Sequence, residues 1–385
     1  MNEKDELELY VHIPFCERKC DYCDFLSFTS DEWERDAYIN QLIAEIRAQG
    51  TLYKDKRLST IYFGGGTPSI LRGVDIFNIM SAIYESFAIN AAAEISIECN
   101  PGTLTESKLS YYRDAGINRL SIGLQSADND ELRMLGRIHT YEKFLESYQL
   151  ARYMGFDNIN IDIMSALPMQ NVETYKKTVR TVLMLKPEHL SAYSLLIEEG
   201  TPFGDMYGRA EARNLLPDDE TDRHMYYITR DMAERSGLHQ YEISNFARPG
   251  YECRHNIGYW TGAEYLGVGL GASSYVYGHR FHNIKSMKDY VAVDMKKDIR
   301  PLYQDVVKLS EKDMIEEFMF LGLRLTEGVS SREFSYRFGK NLFIMYEQAI
   351  AKNKILKTIE VEKPYVRLTQ KGVDVSNKVL ADFLL

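Results

Sequence analysis

Three cysteines fall within one short run, Cys16-Glu17-Arg18-Lys19-Cys20-Asp21-Tyr22-Cys23, in the spacing C-x3-C-x2-C. Thiolates are soft ligands that select zinc, copper(I) or iron–sulfur clusters, and a closed structural site asks for four donors. A fourth cysteine nearby is missing, because Cys99 and Cys253 lie far along the chain with no partner at ligand spacing. Three sulfurs leave one metal position open, and an open position is where ligand exchange or chemistry occurs. A disulfide framework is disfavoured by the odd cysteine count and by a chain long enough to build its own core. Three thiols acting as buried hydrophobes sit badly with the charged residues between them. A three-sulfur zinc site completed by His12 is the structural rival that the spacing leaves open.

The elements that must position this loop follow from hydrophobic patterning. Short β-rich runs at Leu9–Ile13, Thr60–Phe63, Glu94–Cys99, Arg119–Leu124, Asn158–Met164 and His189–Leu195 alternate with helical patterns. The helices are expected near Glu32–Gln49, Val74–Phe87, Glu106–Asp114, Asp130–Leu135, Tyr141–Met154 and Val172–Leu185. That alternation is the signature of parallel α/β architecture. Six such units fit an incomplete TIM-type barrel, with the site on loops after the strands, and periodicity alone equally allows an open doubly wound sheet. The cysteine loop follows the first strand. Gly64-Gly65-Gly66-Thr67-Pro68 follows the second, and glycines there let a ligand touch the backbone, or simply make a tight turn. Glu98, Gln125 and Asp162 sit at or near the ends of later strands, facing the mouth of such a barrel.

A helix is expected over Glu220–Ser236, then an irregular Gly- and aromatic-rich stretch, Tyr241–Tyr277. Within it, Gly267–Ser274 reads either as flexible backbone near the open side or as a tight core crossing. After Pro301 come amphipathic helices at Lys312–Leu323, Ser331–Phe338 and Leu342–Ala351, a strand Tyr365–Leu368, a Lys371-Gly372 turn and a closing helix Val375–Phe383. The expected division is residues 1–240 for the barrel, 241–300 for a connecting segment and 301–385 for a small C-terminal domain. A net charge of −10 argues against a generic nucleic-acid binder. No apolar run approaches bilayer length and no leader-like start is present, so the cytoplasm is the expected compartment. A homodimer is left open. The 27 tyrosines against 2 tryptophans suit amphipathic pockets without naming a ligand.

Taken together, His12-Ile13-Pro14-Phe15-Cys16 through Cys23-Asp24-Phe25 resembles the signature of the radical S-adenosylmethionine (SAM) superfamily, and in particular its HemN/HemW branch. The resemblance implies a partial (β/α)6 TIM-like barrel with a small C-terminal winged-helix-like α+β domain. It implies a [4Fe-4S] cluster on Cys16, Cys20 and Cys23, with S-adenosylmethionine chelating the fourth iron. Gly65, Gly66 and Thr67 match the motif whose backbone meets the methionyl amino group. Glu98 and Arg137 match contacts around the methionyl part, Gln125 and Asp162 those around the ribose, and Tyr10 and Tyr22 two further S-adenosylmethionine positions. A guanidinium such as Arg137 can grip a carboxylate in bidentate fashion, whereas Glu98 would accept from the ammonium.

The coproporphyrinogen III dehydrogenases of this branch carry a cysteine where this chain has Phe25. His255-Asn256-x-x-Tyr259-Trp260 instead matches the HNxxYW motif of the HemW type, regarded as heme chaperones. The likeness therefore implies heme binding and transfer to an acceptor protein not identifiable from sequence, with a radical SAM dehydrogenase as the alternative. Imidazole is a common axial ligand of heme iron, which makes His255 a heme candidate, with Cys253 as a second candidate. A hydrogen-bonded structural histidine is the plainer alternative for His255.

Overall fold

In the computed structural model, which describes residues 5–385, six strands lie side by side in chain order and all run parallel. They are β1 (Glu6–Ile13), β2 (Arg57–Gly65), β3 (Ala88–Cys99), β4 (Arg119–Gln125), β5 (Ile159–Ser165) and β6 (His189–Ser194). The crossovers carry α1 (Glu32–Leu52), α2 (Gly73–Ser86), α3 (Glu106–Asp114), α4 (Asn129–Met134), α5 (Tyr141–Tyr153) and α6 (Val172–Met184). Several starts are fixed by local chemistry: Asp31 and Glu34 form a capping box on α1, while Thr105, Thr140 and Asn171 cap α3, α5 and α6 with their side chains.

The strands explain why the sheet curls into a barrel with a polar inside. Leu9, Val11 and Ile13 of β1, Leu120, Ile122 and Leu124 of β4, and Ile159, Ile161 and Ile163 of β5 are buried in one core cluster with the helices. Each such side chain contributes about 1.5–3 kcal/mol on burial. The alternate residues face the lumen and are polar: Glu8, Tyr10 and His12 on β1, Glu94, Ser96 and Glu98 on β3, Asn160 and Asp162 on β5. The six strands do not close on themselves. β1 pairs with β9 (Tyr265–Val268) on one side, and β6 pairs with β8 (Asn245–Ala247) on the other, β8 in turn with β7 (His239–Glu242).

The stretch expected as irregular is therefore ordered. Beyond β6 come α7 (Pro202–Tyr207) and α8 (Asp219–Arg235), and beyond β8 the helix α9 (Arg254–Thr261). Past β9, strands β10 (Ser273–Val276) and β11 (His279–Asn283), the helix α10 (Met287–Ala292) and β12 (Tyr303–Lys308) extend the same sheet. Short strands next to glycines carry too little periodicity to be seen in sequence. Gly267–Ser274 is the tight crossing of the two alternatives: a Cβ on Gly269, at φ +97°, would lie 2.4 Å from the Tyr38 hydroxyl.

The C-terminal part begins with α11 (Glu311–Gly322) and has its own three-stranded sheet of β13 (Val329–Ser330), β14 (Ile359–Glu362) and β15 (Tyr365–Leu368), around a separate core that includes Phe334, Tyr346 and Phe383. The single helix expected at Leu342–Ala351 is two, Leu342–Met345 and Glu347–Leu356, broken where Tyr346 leaves helical geometry and packs on Phe383. The Lys371-Gly372 turn lies inside a short helix, Gln370–Asp374.

Candidate functional site

The loop after β1 is closed on itself before any ligand is considered. The Cys16 amide donates to the Phe28 carbonyl at 3.0 Å, Phe28 to Pro14 at 2.9 Å, and Asp21 to Leu135 at 3.2 Å. None of the three cysteines is in a disulfide, and all three line one cavity of about 300 Å³ at the C-terminal ends of the strands. Two donors already point at sulfur: Thr67 Oγ1 lies 3.6 Å from Cys16 Sγ, and Arg137 Nη1 lies 3.5 Å from Cys20 Sγ. Such donors stabilise thiolate charge and tune a metal group held by it.

The glycine turn makes room for this loop. Gly65 sits at φ +117°, and a Cβ on Gly66 would fall 2.7 Å from the Phe15 carbonyl oxygen and 3.0 Å from Cys16 Sγ. Only glycine lets β2 and the cysteine loop approach so closely. The Gly65 amide and the Tyr62 hydroxyl both donate to Glu98, at 3.2 and 3.0 Å. Burial, with the nearby Asp162 carboxylate, nevertheless pushes Glu98 up to about 7. Asp162 is also raised by burial, although Ser121 and Asn160 donate to it at 3.1 and 2.7 Å.

Arg137 arrives from the turn after α4 and bonds the Gly123 carbonyl at 2.6 Å, leaving its Nε buried and without a partner. Gln125 ends β4 at φ +72°, next to a register shift between Gly123 and Gln125. A non-glycine residue held there marks a constrained site, and Gln125 lines the cavity. Tyr22 lines it too and packs near Phe203. Cys16, Cys20, Cys23, Tyr22, Gly65, Gly66, Thr67, Glu98, Gln125, Arg137 and Asp162 thus share one cavity.

Tyr10 does not belong to that wall. It lies one layer deeper, its hydroxyl 3.1 Å from His12 Nδ1 and its ring beside those of Tyr62 and His255, which stack on each other. The opposite His12 nitrogen, Nε2, donates to the Leu26 carbonyl at 2.9 Å, so the Tyr10 hydroxyl donates to Nδ1 and neither nitrogen is free for a metal. His12 cannot complete a three-sulfur zinc site as folded. Among the described residues, no three His, Cys, Asp or Glu side chains come together as holders of a single ion.

His255 and Cys253 are at the other end of the barrel. His255 is 1% exposed, with Nδ1 2.7 Å from Thr60 Oγ1 and Nε2 3.0 Å from the Tyr259 hydroxyl. Burial and then the Arg119 charge push it down to about 3, so it is neutral. Cys253 is fully buried, its thiol 3.6 Å from Glu94 and pushed up to about 12 by burial. As folded, both side chains are held by protein partners at the barrel floor. The motif's helix α9 plugs the barrel floor, with its first amides, Arg254 and His255, donating to Glu94 at 3.1 and 3.4 Å. Of the motif, only Asn256 reaches the cavity.

Sequence reading missed Tyr62, Asn100, Arg119 and Asn160 on the cavity wall, and named Asn256, also on it, only as part of the HNxxYW motif. Asn100 donates to Thr67 at 3.0 Å, tying the glycine turn to the end of β3. The available signal was the polar half of each strand's period-two alternation, which fixes what faces the lumen.

Residues 10–182 match the model of the radical SAM superfamily, and residues 309–375 match the HemN C-terminal domain. The chain is 37% identical over 377 residues to the heme chaperone HemW of Lactococcus lactis subsp. lactis (strain IL1403), covering 98% of this chain and 97% of that protein. It is 36% identical over 376 residues to the heme chaperone HemW of Bacillus subtilis (strain 168), covering 97% and 98%. The fold superposes on coproporphyrinogen III oxidase (HemN) of Escherichia coli, a radical SAM enzyme, with a TM-score of 0.84 at 24% identity over 100% of this chain and 91% of that one.

Proposed function

We propose that this chain, which belongs to the HemW family within the radical SAM superfamily, holds a [4Fe-4S] cluster on Cys16, Cys20 and Cys23, takes S-adenosylmethionine at the fourth iron, and binds heme for delivery to an acceptor protein. The observation that carries the reading is the convergence of three unpaired thiols with Glu98, Gln125, Arg137 and Asp162 on one cavity. Bound together, cluster and S-adenosylmethionine supply one-electron chemistry, and the barrel's part is to orient them and exclude water. Arg137, with a spare buried Nε, suits a methionyl carboxylate, and Glu98 the ammonium. Gln125 and Asp162 are assigned to the nucleoside part. Tyr10 supports this layer through His12 rather than by contact.

For heme, the motif names His255 and Cys253 as candidates, and an open cleft elsewhere offers a second place. A cleft of about 560 Å³ between the β9–β10 edge and α11 is lined by Tyr259, Tyr265, Tyr275, Phe318 and Phe338, with Met314, Arg280 and Arg337. Aromatic faces suit a porphyrin, a thioether is a known iron ligand and guanidinium groups suit propionates. Arg280 now clasps Glu317 at 2.6 and 3.0 Å, so a propionate would exchange with that carboxylate. Among the described residues no helix is long and apolar enough to cross a membrane. The free thiols fit the cytoplasm.

Anaerobic reconstitution is expected to load about four irons and four sulfides per chain; zinc in their place would sink the cluster assignment. Heme transfer from the loaded protein to candidate acceptors tests the chaperone role, and turnover of coproporphyrinogen would overturn it. A heme affinity unchanged by Tyr275→Ala and Met314→Ala together would remove the cleft from the reading.

A further inference from the structure

The deep end of the barrel cavity holds a guanidinium that feels the charge of Glu94 but has no hydrogen-bond acceptor among the described residues. Arg119, the first residue of β4, is 2% exposed and among the largest fully buried side chains. Its guanidinium lines the cavity, and with the described residues it makes no hydrogen bond or ion pair; Nε is a buried donor without a partner. A buried donor left without an acceptor is costly. The nearby carboxylates are already engaged: Glu94 by the first amides of α9, Glu98 by Tyr62 and Gly65, Asp162 by Ser121 and Asn160. Two more polar groups share this isolation. Ser96, directly opposite Arg119 on β3, has a buried hydroxyl with no partner, and the Asn256 amide, presented by α9 to the same cavity, makes no side-chain hydrogen bond with the described residues.

We propose that this end of the lumen is a carboxylate subsite, in which Arg119 grips a carboxylate of a small organic acid and Asn256 donates to the same group. The planar fork of a guanidinium matches a carboxylate in bidentate fashion. Beside Glu94, Glu98 and Asp162, a singly charged carboxylate is tolerated better than a phosphate dianion, which would add a further negative charge. Within the one cavity, the subsite lies deeper along β4 than Arg137, the group assigned to the methionyl carboxylate. Arg137 bonds Gly123, four residues further along β4, or about 13 Å at the usual rise.

The test uses the full chain, prepared anaerobically, with propionate and glutarate as probes and propionamide as the uncharged control, followed by saturation-transfer NMR and thermal shift. Propionate and glutarate are expected to bind saturably and propionamide not to bind; Arg119→Gln is expected to weaken carboxylate binding by about tenfold or more. Asn256→Asp supplies its own carboxylate, so it is expected to raise Tm and abolish propionate binding. Equal binding of propionate by wild type and Arg119→Gln, equal binding of propionamide, or displacement by equimolar inorganic phosphate overturns the proposal. Should Arg119→Gln fail to fold, Asn256→Asp decides, and an unchanged propionate affinity there overturns it. S-adenosylmethionine binding, measured in the same samples, reports on the mouth independently of the floor.

Discussion

The mouth and the floor of the barrel use the same kinds of side chain to opposite ends. At the mouth, Cys16, Cys20 and Cys23 form no disulfide, Arg137 keeps an unpartnered Nε, and Gln125 lines the cavity. At the floor, Cys253, His255, Glu94 and Thr60 bond to one another and to the first turn of α9. Residue type therefore says little about whether a group binds a ligand. What decides it is whether neighbouring elements have already satisfied it, since a buried polar group with a protein partner loses that partner on binding anything else.

The largest break in this contrast comes at the mouth. Cys20→Ser is expected to abolish iron retention after reconstitution while leaving the fold intact, read by iron analysis and circular dichroism; full iron content would place the ligands elsewhere. Glu8 at the floor gives the next effect. Burial, with Glu94 nearby, raises its carboxyl from 4.5 to about 9, and one oxygen has no partner. The folded chain keeps this proton where the unfolded chain releases it, so stability is fully present below about pH 4.5 and declines as pH rises towards 9. The loss is at most about 3 kcal/mol at pH 7, and Glu8→Gln should flatten the Tm profile between pH 5 and 9. A wild-type profile already flat over that range would mean that the floor stays solvated.

His255→Ala should cost about 2 kcal/mol of stability by leaving Thr60 and Tyr259 unpartnered, with heme affinity and heme spectrum unchanged. A lost heme spectrum would show that the floor opens to ligand. Smallest in energy is the protonation of Glu98. With its carboxyl near 7 and only the ionised form accepting from an ammonium, S-adenosylmethionine affinity should rise about tenfold from pH 6 to pH 8. Glu98→Gln should bind weakly at both values. Isothermal titration at the two pH values checks this, and a pH-independent wild type would take Glu98 out of the contact.

Much of the mouth was legible because its chemistry is local. C-x3-C-x2-C needs only loop spacing to bring three sulfurs together, and the glycine turn and the strand ends lie where parallel βα units must place them. The floor was illegible because its partners are remote: Glu8, Thr60, Glu94 and His255 come from four separate elements, joined only by strand curvature and the plugging helix. The motif that suggests heme contact at His255 also bonds to the barrel's own polar interior.

By itself, then, the sequence determined the six βα units, the cysteine loop and the side of the barrel on which ligands sit, since strand and helix periods and loop spacing are properties of neighbouring residues. Only the tertiary structure decided which polar residues face the lumen unpaired, that Tyr10 supports rather than lines the cavity, that His255 and Cys253 are buried among protein partners, and that the Arg119 Nε has no acceptor among the described residues. Those outcomes depend on burial and on partners far apart in the chain, which no local pattern encodes.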